Sequence, residues 1–312
     1  MTTVGYLGGF GRSGTTLVER VLDQLPDVCG LGEVVHLWFR GLLWDEHCGC
    51  GQAFSRCEFW QEVGKVAFGG WETVDAKAVH SLGLGVDRSR HVPALAALPA
   101  GARLRRRARE YADWYARIYA AVAAVTGAKV VVDSSKNASL AFSLREHPDI
   151  DLKILHVVRD ARGVAHSWTK DVRRPEAGAE HQLMDKYSPA RSAGLWTAHN
   201  LSFEVLRRQG SEVRRLRYEQ FATDPQQTVR GIQEWLGLPP SELPFLQGDA
   251  VELRASHTVA GNPMRFRTGR LELRLDEEWR AGLAAGDRRR VTAVTWPLLL
   301  RYGYHPTMTA RY

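Results

Sequence analysis

The sequence predicts an α/β fold in which a central parallel sheet is flanked by helices. Two observations carry this. The first apolar run, 3-TVGYLGGF-10, is strand-like, ends in glycines and gives way to the helical spacing of Leu17, Val18, Val21, Leu22 and Leu25. The alternation then recurs, with mostly apolar runs at 128-AKVVVD-133, 151-DLKILHVV-158 and 213-VRRLRY-218, each ahead of polar residues and a helical segment. Buried strands separated by helices build parallel sheets covered on both faces. A strand, a glycine loop and a helix in that order open a P-loop nucleotide-binding fold.

Between the first two strands, residues 33–127 form an insertion rich in Trp and Arg and mainly helical in period, with its clearest helix near 103–126. A second helical stretch, 187–209, lies in an insertion spanning about 170–210 and stops at Gly210, as a C-cap glycine would stop it. Both insertions interrupt the sheet where loops leave the carboxyl ends of strands, so an acceptor pocket is expected there. Trp38, Trp44, Trp60, Trp71, Trp114, Trp168 and Trp196 supply either an aromatic lining or ordinary core. With no internal repeat or linker, residues 1–312 are expected to form a single domain.

A hydrophobic content of 44% with 25% charged residues excludes disordered and fibrous classes. The net charge of +7 favours anionic ligands without choosing among them. The Arg runs 103-RLRRRAR-109 and 288-RRR-290 read as solvated helix faces, so no nucleic-acid partner is expected. No apolar stretch approaches the roughly 18 residues of a membrane span, and no signal sequence is evident at the N-terminus. A cytoplasmic location is the expectation, and four cysteines in so long a chain are not a disulfide framework.

The segment Gly8 to Thr16 places backbone N–H groups and a helix N-terminus around an anion. A Walker A loop would end in Gly-Lys-Ser/Thr; here Gly14 is followed by Thr15 and Thr16, and the cation has moved forward to Arg12. A second site follows the strand 151–158, where Arg159 stands at the strand end and Ser167 two helical turns on, able to grip one phosphate together.

In these two blocks the chain resembles the sulfotransferases that use 3′-phosphoadenosine 5′-phosphosulfate (PAPS), most nearly bacterial members whose motifs are close to those of tyrosyl-protein sulfotransferases. The resemblance implies that Arg12, Ser13, Gly14, Thr15 and Thr16 hold the 5′-phosphosulfate and that Arg159 and Ser167 hold the 3′-phosphate. Residues 256–269 are similar to the family's C-terminal loop, which implies that Arg265, Arg267 and Gly269 close over the nucleotide. Tyr218 resembles a tyrosine found near the adenine, and a core-closing role fits it equally. The similarity extends from residue 3 to about 280, while the acceptor region is unmatched.

Sulfuryl transfer needs a deprotonated acceptor oxygen and cations around the reacting sulfur, which is positioning and electrostatics without a required metal. Arg12 would stand by the bridging oxygen, and Lys136, in 133-DSSKN-137, would supply a second cation. The resemblance implies Glu33 as general base. His36 is the rival, and it also suits a pocket wall. Ser134, Ser135, Ser256 and His257 are further candidate hydrogen-bonding groups, which the sequence does not rank. The expected acceptor is a small-molecule, sugar or lipid-like hydroxyl. A P-loop kinase using ATP and a nucleic-acid binder are the alternative functions.

The run 47-HCGCGQAFSRC-57 remains. Its C-x-C spacing departs from the usual zinc pairs, so free thiols in a glycine turn are expected. A disulfide, or zinc held by His47, Cys48, Cys50 and Cys57, are the alternatives.

Overall fold

The structure, a computed structural model, describes residues 1–97, 101–173 and 183–305. Five parallel strands form the central sheet: β1 (Thr2–Gly8), β2 (Val28–Gly30), β3 (Val130–Lys136), β4 (Ile150–Val158) and β5 (Val213–Arg217), in the order β2-β3-β1-β4-β5. The four strands read from the sequence are present. The edge strand β2 is not among them, because three residues carry no usable periodicity. A small antiparallel sheet, β6 (Leu246–Gln247), β7 (Ala250–Leu253) and β8 (Gly269–Glu272), was also not legible from local pattern.

Side chains of successive strand residues alternate between two cores, as the pleat requires. Val4, Tyr6, Val131 and Ile154 face one core, which also contains the helices α5 (Ala102–Thr126) and α6 (Ala138–Leu144). Leu7, Val130, Val132, Leu155 and Val157 face the other, against α1 (Thr15–Leu22) and α10 (Pro225–Trp235). The sheet is therefore covered on both faces. A third cluster joins α7 (Ala161–Thr169), α8 (Pro189–Arg208) and α12 (Ala285–Arg301). In α8, Ser188 caps the helix by accepting from Arg191 N–H, and Pro189 occupies the first turn, where no donor is needed.

The insertion after β2 is helical as expected, with α2 (Glu58–Phe68), α3 (Ala76–Val86) and α4 (Val92–Ala96) ahead of α5. Its first turns are irregular: a 3₁₀ turn over Val34–His36 runs into a π-helical turn over Leu37–Gly41. Trp38, Trp60 and Trp196 are fully buried core residues, whereas Trp44 is exposed. Part of the second insertion, residues 174–182, lies outside the described residues. No helix among the described residues is long and apolar enough to cross a membrane.

Two adjacent residues of α1 are buried although both can carry charge. The Glu19 carboxylate accepts from Gly32 N–H at 2.5 Å and from the Ser134 hydroxyl at 2.7 Å. Arg20 donates to the carbonyls of Arg254, Arg265 and Arg267. One turn of helix thus fixes the segment after β2, the carboxyl end of β3 and the C-terminal loop. Arg20→Met leaves those carbonyls without their donor and is expected to cost at least about 3 kcal/mol in denaturant unfolding. Burial lifts Glu19 to about 8 despite its two hydrogen bonds. An unfolded Glu ionises near about 4.3, so stability falls as pH rises from there toward 8. Glu19→Gln is expected to flatten that slope in unfolding curves at pH 5 and pH 8.5.

Candidate active site

Every strand of the main sheet sends one chemically equipped residue from its carboxyl end into the same cleft. Taken in sheet order, these are Glu33 beyond β2, Lys136 at the end of β3, Arg12 beyond β1, Arg159 beyond β4 and Tyr218 beyond β5. All five line a cavity of about 450 Å³ together with Gly14, Thr15, Thr16, Ser167 and Trp168. Connections on the two sides of β1 diverge, and ligands of open α/β sheets bind at that switch point. A larger groove of about 830 Å³ runs along β5 and α10, past Arg214, Gln227 and Gly231, and is lined by none of these residues.

The loop after β1 is shaped by what lies against it. A Cβ at Gly14, whose φ is +89°, would meet the Tyr218 ring at 2.5 Å, and one at Gly9 would meet the Val157 carbonyl at 2.3 Å. Glycine is therefore required where the chain turns into α1. Arg12 adopts a left-handed backbone, φ 70°, and Lys136 does the same at φ 68°. Such conformations strain a residue that has a side chain. The two cations nearest the helix N-terminus both carry this strain. The Arg12 guanidinium lies over the Trp168 ring at 5.1 Å, and Trp168 donates from its indole to the Gly11 carbonyl at 3.2 Å. Among the described residues, no partner meets Arg12 Nε or the buried Ser13 hydroxyl. Orphaned polar atoms under a glycine cradle fit an anionic ligand.

Glu33 and Lys136 form an ion pair at the floor of the cleft, with His36 Nε2 3.4 Å from the other carboxylate oxygen. Burial alone would raise the Glu33 pKa. The Lys136 ammonium and then His36 outweigh it, holding the carboxyl well below the usual carboxylate range. A Cβ at Gly261, which has φ +128°, would lie 3.1 Å from Glu33 Oε1, so the C-terminal loop packs directly on this carboxylate.

On the far side of the loop, Arg159 is bound on three sides. It pairs with Asp276 at 2.8 Å, donates to the Arg12 carbonyl at 3.3 Å and lies over the Tyr218 ring at 4.9 Å. Burial would raise the Asp276 pKa, but Arg159 holds it below its ordinary value. Asp160 caps α7 and pairs with Arg162, which fixes the strand-to-helix turn that aims Arg159. Asp276 had no signal in the sequence. It belongs to the cleft only because the chain returns there after β8.

Several predicted residues lie elsewhere. Arg265 is fully buried, does not line the cavity and donates to the carbonyls of Thr258 and His47 at 2.7 and 2.6 Å, bracing two loops. Arg267 is exposed and Gly269, at φ +79°, begins β8; neither lines the cavity. Ser134 is committed to Glu19, and Ser135 donates to Asp133 at 2.5 Å. Ser256 packs on Thr258, and His257 faces the cysteines. Of the seven tryptophans named from the sequence, Trp168 alone lines this cavity. Asn262 and Met264, from the C-terminal loop, complete its wall.

A sequence profile described as "Sulfotransferase family" matches residues 6–242. No curated protein matches the sequence. Among solved structures, the fold is similar to the sulfotransferase domain of the olefin synthase from Synechococcus PCC 7002, at 18% identity and a TM-score of 0.54, over 97% of this chain and 95% of that one. It is also similar to sulfotransferase STF9 from Mycobacterium avium, at 12% identity and a TM-score of 0.50, over 97% of this chain and 78% of the other.

The Glu33–Lys136 pair gives a pH-dependent prediction. Because the folded carboxyl titrates below its unfolded value of about 4.3, the pair's stabilisation is complete above that pH and is lost as pH falls below it. The stability difference between wild type and Lys136→Met is expected to be larger at pH 7 than at pH 3.5. With the ammonium gone, burial is expected to raise the Glu33 titration seen by NMR.

Proposed function

The chain belongs to the sulfotransferase family, and on that premise we propose that it moves a sulfuryl group from PAPS to a hydroxyl of a small-molecule, sugar or lipid-like acceptor. The observation that carries this reading is the separation of two cationic subsites by the glycine loop. Lys136 at the end of β3 and Arg159 with Ser167 beyond β4 stand on opposite sides of the β1 loop, which itself carries Arg12, all in one cleft. A donor with a phosphosulfate at one end and a 3′-phosphate at the other needs two such places.

In this reading the N–H groups of Gly14 to Thr16, the Ser13 hydroxyl and Arg12 hold the 5′ end, and Arg159 with Ser167 takes the 3′-phosphate. Tyr218 packs between the loop and Arg159, on the nucleoside side. Glu33 accepts the proton of the acceptor hydroxyl as its oxygen attacks sulfur. The sulfur–oxygen bond to the 5′-phosphate breaks, and its electron pair leaves on the phosphate oxygen beside Arg12. Lys136 has two duties that follow from its present partner. When its ammonium turns to the sulfuryl oxygens, it stabilises their charge and releases Glu33 from the interaction that depresses its basicity. His36 touches the same carboxylate and serves there as a positioning residue. No step requires a metal.

Three measurements test the reading. Glu33→Gln is expected to retain binding of 3′-phosphoadenosine 5′-phosphate and to reduce turnover by about two to four orders of magnitude. Arg159→Ala should weaken that bisphosphate far more than adenosine 5′-phosphate, and Asp276→Asn, which removes a competing carboxylate, should tighten it; equal losses for both nucleotides in Arg159→Ala would show that Arg159 does not read the 3′ group. In thermal shift the bisphosphate should stabilise the protein above ATP with magnesium or an oligonucleotide, since a ligand stabilises the state it binds. The reverse ranking would favour a kinase or a nucleic-acid binder.

A further inference from the structure

The run from His47 to Cys57 takes no part in the chemistry above, yet the fold gathers it around a point. Cys48, Cys50 and Cys57 converge with His257, which is distant in sequence, and their four ligand atoms all lie within 4.8 Å of one another. The Sγ atoms of Cys48 and Cys57 are 3.6 Å apart, and those of Cys50 and Cys57 3.8 Å. His257 Nδ1 stands 3.3 Å from Cys57 Sγ and 3.8 Å from Cys48 Sγ.

These four separations are close to the edges of a tetrahedron, and the remaining two are no more than 4.8 Å. Bonds of about 2.3 Å to sulfur and about 2.05 Å to nitrogen place the ligand atoms of a tetrahedral zinc about 3.8 Å apart for two sulfurs and about 3.6 Å for sulfur and nitrogen. A disulfide would need two sulfurs at about 2.05 Å and would leave the third thiol and the imidazole unexplained. His47, the histidine adjacent in sequence, is not in the cluster; its carbonyl is held by Arg265 instead.

The surroundings are built for this arrangement. A Cβ at Gly49 would lie 2.4 Å from Thr258 Oγ1 and 2.7 Å from the Ser256 carbonyl, so only glycine lets the two flanking cysteines face the same point. Gly49 N–H donates to the Thr258 carbonyl at 2.9 Å, and the Trp60 indole donates to the His257 carbonyl at 2.8 Å. The His257 ring is stacked on Phe59, with centroids 4.8 Å apart and planes 16° from parallel, which turns Nδ1 toward the thiols. Outer contacts of this kind orient metal ligands.

We propose that Cys48, Cys50, Cys57 and His257 form a structural zinc site. Three thiolates and an imidazole suit zinc, and four protein ligands complete its shell, leaving no position for a substrate. The ion would staple residues 48–57 to 256–258. The latter segment continues through Val259, whose N–H donates to Leu31 at 2.8 Å, into Asn262 and Met264 on the cleft wall. The site thus holds the C-terminal loop over Glu33, and it stands independently of which sulfuryl donor or acceptor is used.

Elemental analysis of the full chain purified under reducing conditions is expected to give close to one zinc per molecule. Three of the four thiols should stay unreactive to alkylation until a chelator removes the ion. Chelation should also lower the midpoint of thermal unfolding by about 5 °C or more. Cobalt(II) added to chelator-treated protein should produce the intense visible bands of a tetrahedral thiolate site, and His257→Ala should reduce metal content and weaken those bands. If these variants fail to fold, metal content and the cobalt spectrum of the wild type still decide. Wild-type protein that carries no zinc and takes up neither zinc nor cobalt, whether its thiols alkylate freely or two of them are joined in a disulfide, overturns the proposal.

Discussion

The cleft depends on one pair of buried residues, neither of which lines it. Glu19 and Arg20, side by side on α1, reach in two directions and hold Gly32, Ser134 and the carbonyls of residues 254, 265 and 267. Each of those positions lies close in sequence to a residue of the cleft: Gly32 to Glu33, Ser134 to Lys136, and the C-terminal loop to Asn262 and Met264. Because Gly14 is the N-cap of the same helix, the glycine loop and the groups that face it share one rigid support. Buried polar side chains are tolerated when every bond is made, and such networks specify a single arrangement.

That support sets up a cleft in which two of the three described cations are matched by carboxylates. Lys136 is paired with Glu33 and Arg159 with Asp276. A ligand must displace a carboxylate at each end, so weakly charged molecules gain little and a multiply charged anion spanning both ends gains most. The strained backbones of Arg12 and Lys136 set both cations in the cleft, and the surrounding packing maintains the strain. The strand order makes this geometry: since β1 lies between β3 and β4, the loop carrying Arg12 necessarily separates Lys136 from Arg159.

The legible parts of the site were those whose chemistry is contiguous in the chain. The loop from Gly8 to Thr16 was readable within nine residues, because a strand, glycines and a helix N-terminus in that order set a fixed local geometry. That Arg159 and Ser167 share one cleft was readable for the same reason, a fixed spacing across one strand-to-helix turn. The placement of Arg265 was not legible, since a basic residue in such a loop has the composition of a ligand contact while its guanidinium donates to two carbonyls and does not line the cavity. Asp276 bears no local mark of its place in the cleft, and Trp168 was one of seven tryptophans that the sequence could not rank. The cysteine run announced a cluster but pointed to the wrong histidine.

The sequence by itself determined the sheet, its helical coverage and the anion loop, because hydrophobic period and glycine placement act over a few residues and need no distant partner. Only the tertiary structure decided which carboxylates neutralise the cations, which arginine is scaffold, and that His257 rather than His47 meets the thiols. Those outcomes depend on chain segments separated by up to roughly two hundred residues being packed to within hydrogen-bonding distance. Local pattern carries no information about such meetings; the buried bonds of α1 and the order of the strands bring them about.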